Sequence, residues 1–503
     1  MEALPTLWQL DTLGRAVNYL NNPANKPLRL QNFIENQFLD CAHTSEWIDS
    51  FDPRSGNLLV HVPRSPPNVV EYAINVASCA FRAWSQTPTQ MRSVILFRIA
   101  SIMEQKKEMF AIWESIDQGK SLVRARGEVE SSIRHFRFFA RYILQDESAV
   151  RLNKGRREST LAHESRVPGG VYAIVTSWNM PLYLLSSNIA PCLAFGCTGV
   201  AKPSELTSMT AFLLSEVLRQ ARVPPGVINI IFGDGPGTGS TLITSPLIQG
   251  VSFTGGAKTG IQIRKDTAAD LHKRLSLELR GSSPILVFGD VEVNEAVYSA
   301  AFAAFESSGQ LCLSGSLIYV HRTIYKQFLF RLTQFFQKAY RMQKELGPVV
   351  SAEHYAKIRS QLVQADEEHA NFEIGEIPNE VPEHGFWISP TVLSNVRPDS
   401  LLVREEIFGP VAVVCPFDSD EEVVKLCNDN PNIMGAVLLT DDLRRLRRVG
   451  EHLNAGLVWG PCWLGRELGA GFNDPRAIGM GREGGVHSRD VFTRLRAVHV
   501  PSF

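Results

Sequence analysis

At 503 residues the chain exceeds the length at which a single hydrophobic core stops growing, so two or three lobes are expected. Apolar residues make up 44% and charged residues 20%, and the formal net charge of −1 removes the electrostatic case for nucleic acid or an anionic membrane as partner. Eight cysteines at 41, 79, 192, 197, 312, 415, 427 and 462 include no CxxC pair and no histidine at zinc-ligand spacing, which argues against a disulfide framework or a structural metal and for a reduced compartment.

The first residues, Met1-Glu2-Ala3-Leu4-Pro5, lack the basic start of a secretory signal, and no window approaches the ~20 apolar residues of a spanning helix. A cytoplasmic protein acting on a small molecule is expected. Residues 1–28 read as an extension ahead of the fold, with the character of a loosely ordered terminus. From Val69 to about Gln145 apolar residues recur at helical spacing, first through Val69-Val70, Ala73, Val76-Ala77, Ala80-Phe81 and Trp84, then from Ile95 to Ile116.

After Gly169-Gly170 short β-rich runs alternate with helical ones: Val171 to Val175 and Pro181 to Leu193, Gly199 to Ala201 and Thr207 to Ala221, Val227 to Phe232, then Val251 to Phe253 and Gly255 to Thr267. That alternation implies βαβ crossovers and a doubly wound parallel sheet, which binds ligands beyond the carboxyl ends of its strands. A second alternation predicts strands at Ile285 to Phe288, Leu317 to Val320, Val411 to Cys415 and Gly435 to Leu439, with helices at Ile324 to Arg341 and Ala352 to Gln364. The polar stretch from Gly375 to His384 reads as a surface connection.

Several residues in this frame carry chemistry. Cys312, in Gly309-Gln310-Leu311-Cys312, is a candidate thiol nucleophile; Glu278, in Leu275-Ser276-Leu277-Glu278-Leu279, is a candidate carboxylate base that would activate the water releasing an acyl-enzyme. Taken singly, a cysteine is more often a small buried hydrophobe. Lys202-Pro203-Ser204-Glu205 closes a strand before a helix, so Lys202 and Glu205 could reach ribose hydroxyls, Glu205 accepting from a 2′-hydroxyl and repelling a 2′-phosphate. The alternative is a capped, solvated helix entry. Gly255-Gly256-Ala257-Lys258-Thr259-Gly260 follows a strand and opens a helix, where bare N–H groups would favour a pyrophosphate, or it is only a turn. Asn179, between a strand end and Pro181, could donate to an oxyanion or cap the helix.

Six separated motifs resemble those of the NAD(P)-dependent aldehyde dehydrogenases in that family's order, from about Asn32 to His499: Ser177-Trp178-Asn179, Lys202 to Glu205, the glycine turn ending at Gly260, Leu277 to Gly281, Gly309 to Cys312, and Glu405 to Pro410. The resemblance implies an α/β fold with a Rossmann-type, doubly wound NAD-binding lobe (29–148 and 168–279), an α/β catalytic lobe (280–487) and a small β oligomerisation arm (149–167 and 488–503). It implies Cys312 as nucleophile, Glu278 as general base and Asn179 as oxyanion donor. Lys202, Ser204, Glu205, Gly255 and Gly260 would hold NAD on the adenosine and pyrophosphate side, and Glu406 with Phe408 would support the nicotinamide ribose. The arm, from about Ala149 to Val167, is expected to pair across a subunit interface with Leu495 to Val500, giving a homodimer or homotetramer.

Within the family the chain is similar to the branch acting on muconic-type semialdehydes, including aminomuconate-semialdehyde dehydrogenases. Asp117-Gln118-Gly119-Lys120, His135 to Phe139, Pro181 to Leu184 and Cys462 to Glu467 carry that likeness. It implies Arg466 as a clamp for a substrate carboxylate, with Phe472 also at the substrate. A second family arginine, on the helix before His135, has Ser132 nearest its place and Arg134 as a substitute. Two departures stand out. The usual small residue after the base motif is Arg280, which could hold Glu278 ionised or obstruct the nicotinamide, and a family glycine pair near the carboxyl end is replaced at Asn473-Asp474. They motivate the alternative of a catalytically impaired, dehydrogenase-like subunit; a further alternative is an active enzyme on plain aliphatic or aromatic aldehydes.

Overall fold

The computed structural model describes residues 7–22, 25–39, 46–145, 150–154, 159–279, 281–338, 346–382, 384–465, 467–471, 479–481 and 484–501. Arg280, Arg466, Phe472, Asn473 and Asp474 lie outside these described residues.

Two parallel sheets carry the architecture. In the first, five parallel strands run in the spatial order Arg274–Leu279, Gly250–Gly255, Val171–Val175, Thr198–Lys202 and Ile228–Ile230. Antiparallel neighbours close its edges, Gly479–Met480 on one side and Asn32–Ile34 with Gln37–Leu39 on the other. Thr198–Lys202 is buried along its whole length, as expected of a central parallel strand covered on both faces. The second sheet orders Asn371–Ile374, Thr391–Ser394, Val411–Phe417, Leu317–His321, Ile285–Val287, Gly435–Leu439 and Leu457–Trp459, parallel except at the first edge. The strand Gly479–Met480 thus returns to the first sheet from within the stretch read in the sequence as catalytic.

Four helices, Pro67–Trp84, Thr89–Gln105, Lys107–Gln118 and Leu122–Tyr142, fill the helical stretch. Gly119 ends the third at φ 89°, and a Cβ there would press into Pro348, so glycine fits a left-handed stop that also packs closely. Ser121 caps the fourth by accepting from the Arg124 amide.

Two expectations need correction. The stretch 1–28 is not a loose terminus where it is described: Leu13–Leu20 is a helix capped by Thr12, and Leu7 and Ala16 are fully buried in the core of the first lobe. Their apolar contact outweighs the ordering entropy that a terminus otherwise keeps. The carboxyl-terminal strand Thr493–Pro501 pairs with Ser159–Pro168 of the same chain, not across a subunit interface, and Val150–Lys154 completes that three-stranded antiparallel sheet. A nine-residue register within the chain already satisfies this strand's ladder on one side.

Candidate active site

Parallel registry sets the first half of the site. Val175 pairs with Lys202 and with Phe253, and one residue on Thr254 pairs with Glu278, so residues far apart in sequence share two successive rows at the carboxyl ends of four strands. Glu278 is buried there with 8% of its surface exposed. Past the end of Val171–Val175 the chain reaches Asn179, which is 4% exposed. Asn179 is not a helix cap: the helix Pro181–Ala194 starts with Pro181 in its first turn and has Met180 at its cap position. Its side-chain amide donates instead to the Gln310 carbonyl at 3.1 Å.

The second half is an unusual turn. After the helix Val293–Phe305, Ser307, Ser308 and Gly309 take φ of 52°, 56° and 67° in succession. Left-handed serines cost of order 1–3 kcal/mol each and persist only where their surroundings over-determine them. Those surroundings are visible. Ser308 donates to the Gly347 carbonyl at 2.6 Å, and the buried Gln310 donates to the Ser307 and Pro348 carbonyls, both at 3.2 Å, while accepting from the Val350 amide at 3.0 Å. At Gly309 a Cβ would overlap the Gly409 carbonyl oxygen, so the turn lies directly on the Glu405–Pro410 segment. Cys312, partly exposed, leaves this turn. By contrast Cys192 is fully buried, and burial pushes the thiols of Cys197 and Cys415 up to about 11 and about 12.

Cys312, Glu278, Asn179, Gly255 and Phe408 line one cavity of about 480 Å³, a size that suits a small-molecule site. The sequence motifs of the semialdehyde branch meet it as well. His135 and Tyr183 stand edge to face at 5.0 Å on its wall, and Leu464 and Gly465, the chain neighbours preceding Arg466, also line it. Ser132 does not reach it: the residue is fully buried and its hydroxyl donates to the Glu128 carbonyl within the helix. Arg134 does, exposed at the wall with Nη2 donating to Ser131 Oγ at 2.7 Å. Among the described residues Arg134 pairs with no carboxylate.

Phe408 has φ of 61°, held by its carbonyl's 2.7 Å hydrogen bond with His354 Nε2 and by the Trp178 ring at 5.3 Å. Glu406 is half-buried beside it. Lys202 is not a solvated helix entry: it is 3% exposed, donates to the Pro203 and Gly233 carbonyls and sits 3.3 Å from Glu205 Oε2. Ser204 Oγ accepts from the Leu206 amide at 3.3 Å in a local turn, and the following helix, Met209–Gln220, begins later than the sequence suggests. Gly256 stands at the head of the helix Ala257–Asp266, which has no side-chain cap, and a Cβ on Gly256 would meet nothing within 4 Å. Its first-turn N–H groups therefore form an open cradle of the kind a pyrophosphate fits. Gly260 acts one turn on: a Cβ there would overlap Leu279, so its absence lets the helix lie close on the strand carrying Glu278.

Sequence reasoning gave no role to Gln310, His354 or Lys120. Lys120 is 1% exposed and donates to the Asn179 carbonyl at 3.0 Å. A signal for it exists, since Lys120 falls between two helices with Glu114 and Glu128 on either side of it in sequence, and buried charges need partners. Burial pushes the Glu114 carboxyl upward, against the pull of Lys120.

Comparison with known proteins agrees with this geometry. Residues 39–498 match the model of the aldehyde dehydrogenase family. A 2-aminomuconic semialdehyde dehydrogenase of Bos taurus is 39% identical over 94% of this chain and 98% of its own length, and a 2-aminomuconic 6-semialdehyde dehydrogenase of a Pseudomonas species is 33% identical over 93% and 97%. Among solved structures, the NAD+ complex of an aldehyde dehydrogenase from Bacillus cereus superposes with a TM-score of 0.89 at 28% identity, covering 97% of this chain and 98% of that one. The chain belongs to the aldehyde dehydrogenase family.

Proposed function

We propose that the protein oxidises a carboxylate-bearing semialdehyde of muconic type to the corresponding acid, with NAD as oxidant and Cys312 as the nucleophile. The observation that carries this reading is the convergence of Cys312, Glu278 and Asn179 on one cavity whose wall also presents Arg134. The Cys312 thiolate adds to the aldehyde carbon, and the oxygen that becomes negative accepts from Asn179 Nδ2, which a short shift in the amide's present bond to Gln310 would allow. The dinucleotide, when bound, supplies the hydride acceptor. Glu278 then takes a proton from a water that attacks the resulting thioester, releasing the acid and restoring the thiol.

Lys202, Glu205 and Ser204 are read as the adenosine-ribose side of the dinucleotide site, the Gly255–Gly260 cradle as its pyrophosphate side, and Glu406 with Phe408 as the nicotinamide-ribose support. The carboxylate of Glu205 favours a ribose 2′-hydroxyl over a 2′-phosphate, which supports NAD over NADP. Arg134, and Arg466 beside Leu464 and Gly465, are assigned to the substrate's carboxylates, which suit the planar fork of a guanidinium; Phe472 is assigned to the same pocket. We take the enzyme to be cytoplasmic, and to act as a homodimer or homotetramer, an assembly supported by the outer edges of the three-stranded arm, which pair with no further strand among the described residues.

The test is NADH formation by purified protein with NAD and a panel of carboxylate-bearing semialdehydes and plain aldehydes, with Cys312→Ala as blank. A higher kcat/KM on the carboxylate-bearing members than on plain aldehydes, an advantage lost in Arg134→Ala through a raised KM, is the expected result. Turnover spread equally over plain aldehydes would remove the carboxylate assignment. Intact NAD binding without turnover on any member would favour an impaired subunit.

A further inference from the structure

A group of charges, with Lys120, Glu114 and Glu128 fully buried and Arg124 and Glu306 partly so, runs from behind the cavity to its wall, which Arg124 lines, and takes no part in the reaction steps above. Lys120 Nζ is hydrogen-bonded to Glu128, lies 3.6 Å from Glu114 Oε1, and donates to the Asn179 backbone carbonyl at 3.0 Å. The other oxygen of Glu128 accepts from Arg124 Nε at 3.0 Å, and the same nitrogen is 3.7 Å from Glu306 Oε1. Glu306 is the residue from which the chain enters the left-handed turn of Ser307, Ser308 and Gly309. The Asn179 side chain then bonds the Gln310 carbonyl at 3.1 Å, so the contacts run in a closed circuit from Asn179 through Lys120, Glu128, Arg124, Glu306 and the turn back to Asn179.

We infer that this circuit sets the separation of Asn179 from Cys312, with Arg124 and Glu306 as positioning residues for thiol attack; the inference rests on the reading of Cys312 and Asn179 given above. An oxyanion donor works only within hydrogen-bond reach of where the charge develops, and displacement by about 1 Å can cost about 100-fold in rate. Gln310 and Ser308 fix the far side of the turn to residues 347–350. Only the Arg124–Glu306 contact, among the described ion pairs, fixes the near side to the helix that also carries Glu128. Burial pushes the Glu306 carboxyl upward and Arg124 draws it down, so a neutral amide at 306 would remove the attraction with little change of shape.

Stopped-flow measurement of the NADH burst tests this, with propanal as the neutral aldehyde and succinic semialdehyde as the carboxylate-bearing one. A wild-type burst, or where hydride transfer is the slow step a single-turnover rise with enzyme in excess, that Cys312→Ala abolishes must come first; the absence of both would count against the thiol mechanism itself, separately from the circuit. Given that burst, Glu306→Gln and Arg124→Met are each expected to slow it by about 10- to 100-fold on both aldehydes. The double variant should be no slower than the slower single one, Arg124→Lys should recover part of the rate, and the Kd for NAD and the melting temperature should stay near wild type. Glu306→Gln is isosteric and keeps the test open should Arg124→Met fold poorly. Burst rates within twofold of wild type, multiplying effects in the double variant, slowing confined to succinic semialdehyde, or slowing matched by lost folded protein would each overturn the inference.

Discussion

The two halves of the site are built by opposite means. On the strand side, Val175, Lys202, Thr254 and Glu278 come together because adjacent parallel strands end in two successive rows, and none of the four has a left-handed backbone. On the nucleophile side, Ser307, Ser308 and Phe408 all have positive φ; Ser308 and Phe408 are held by bonds to residues elsewhere in the chain, and Ser307 by the Gln310 amide. The difference teaches where specificity of construction lies. A dinucleotide-facing row follows from the doubly wound topology itself, whereas the thiol's placement depends on individual contacts that single substitutions can remove.

Substitutions that act on the nucleophile half should therefore dominate. Cys312→Ala should lower kcat by at least ~10⁴-fold while isothermal titration still finds NAD bound, since the strand row is untouched. Gly309→Ala should follow, because the added carbon meets the Gly409 carbonyl in a left-handed turn; steady-state assays should show a loss of about 100-fold or more, accompanied by a lower melting temperature. Gln310→Ala removes the amide that bonds Ser307, Pro348 and Val350, and denaturant unfolding should register about 1–3 kcal/mol of lost stability. At Glu205, away from the base Glu278, the strand half should answer more gently. Glu205→Gln should leave kcat with NAD within about twofold and improve the NADP to NAD ratio of kcat/KM by roughly tenfold, the size of one charge-assisted hydrogen bond. An equal loss from Glu205→Gln and Gly309→Ala would break the comparison.

The same contrast decides what is legible in the sequence. The helices between Pro67 and Tyr142 and the parallel strands declare themselves because burial repeats at regular spacing along them. Asn371–Ile374 does not, since a bulge between Phe372 and Ile374 breaks its alternation. Leu443–His452 hides for another reason: it is short and mostly charged, and it buries only Val449. In the site, Cys312, Glu278 and Asn179 are marked by residue type and motif. The devices that hold them are not, because Gln310 finds its partners 38 and 40 residues away and Lys120 reaches Asn179 across 59, separations that no local pattern encodes. Ser132 and Arg134 show the limit from the other side. Neighbouring positions on one helix differ in which way they face, and only the packed helix shows that Ser132 turns inward while Arg134 meets the cavity.

The central claim is that Cys312 carries the acyl group and Glu278 releases it. Intact-protein mass spectrometry of Glu278→Gln, quenched after mixing with NAD and succinic semialdehyde, tests it most directly. The account predicts a burst of NADH equal to the enzyme, slow steady turnover reduced by about 10²- to 10⁴-fold, and one added acyl mass that peptide mapping places on Cys312. Undiminished turnover with no adduct, or an adduct that persists in Cys312→Ala, would contradict it.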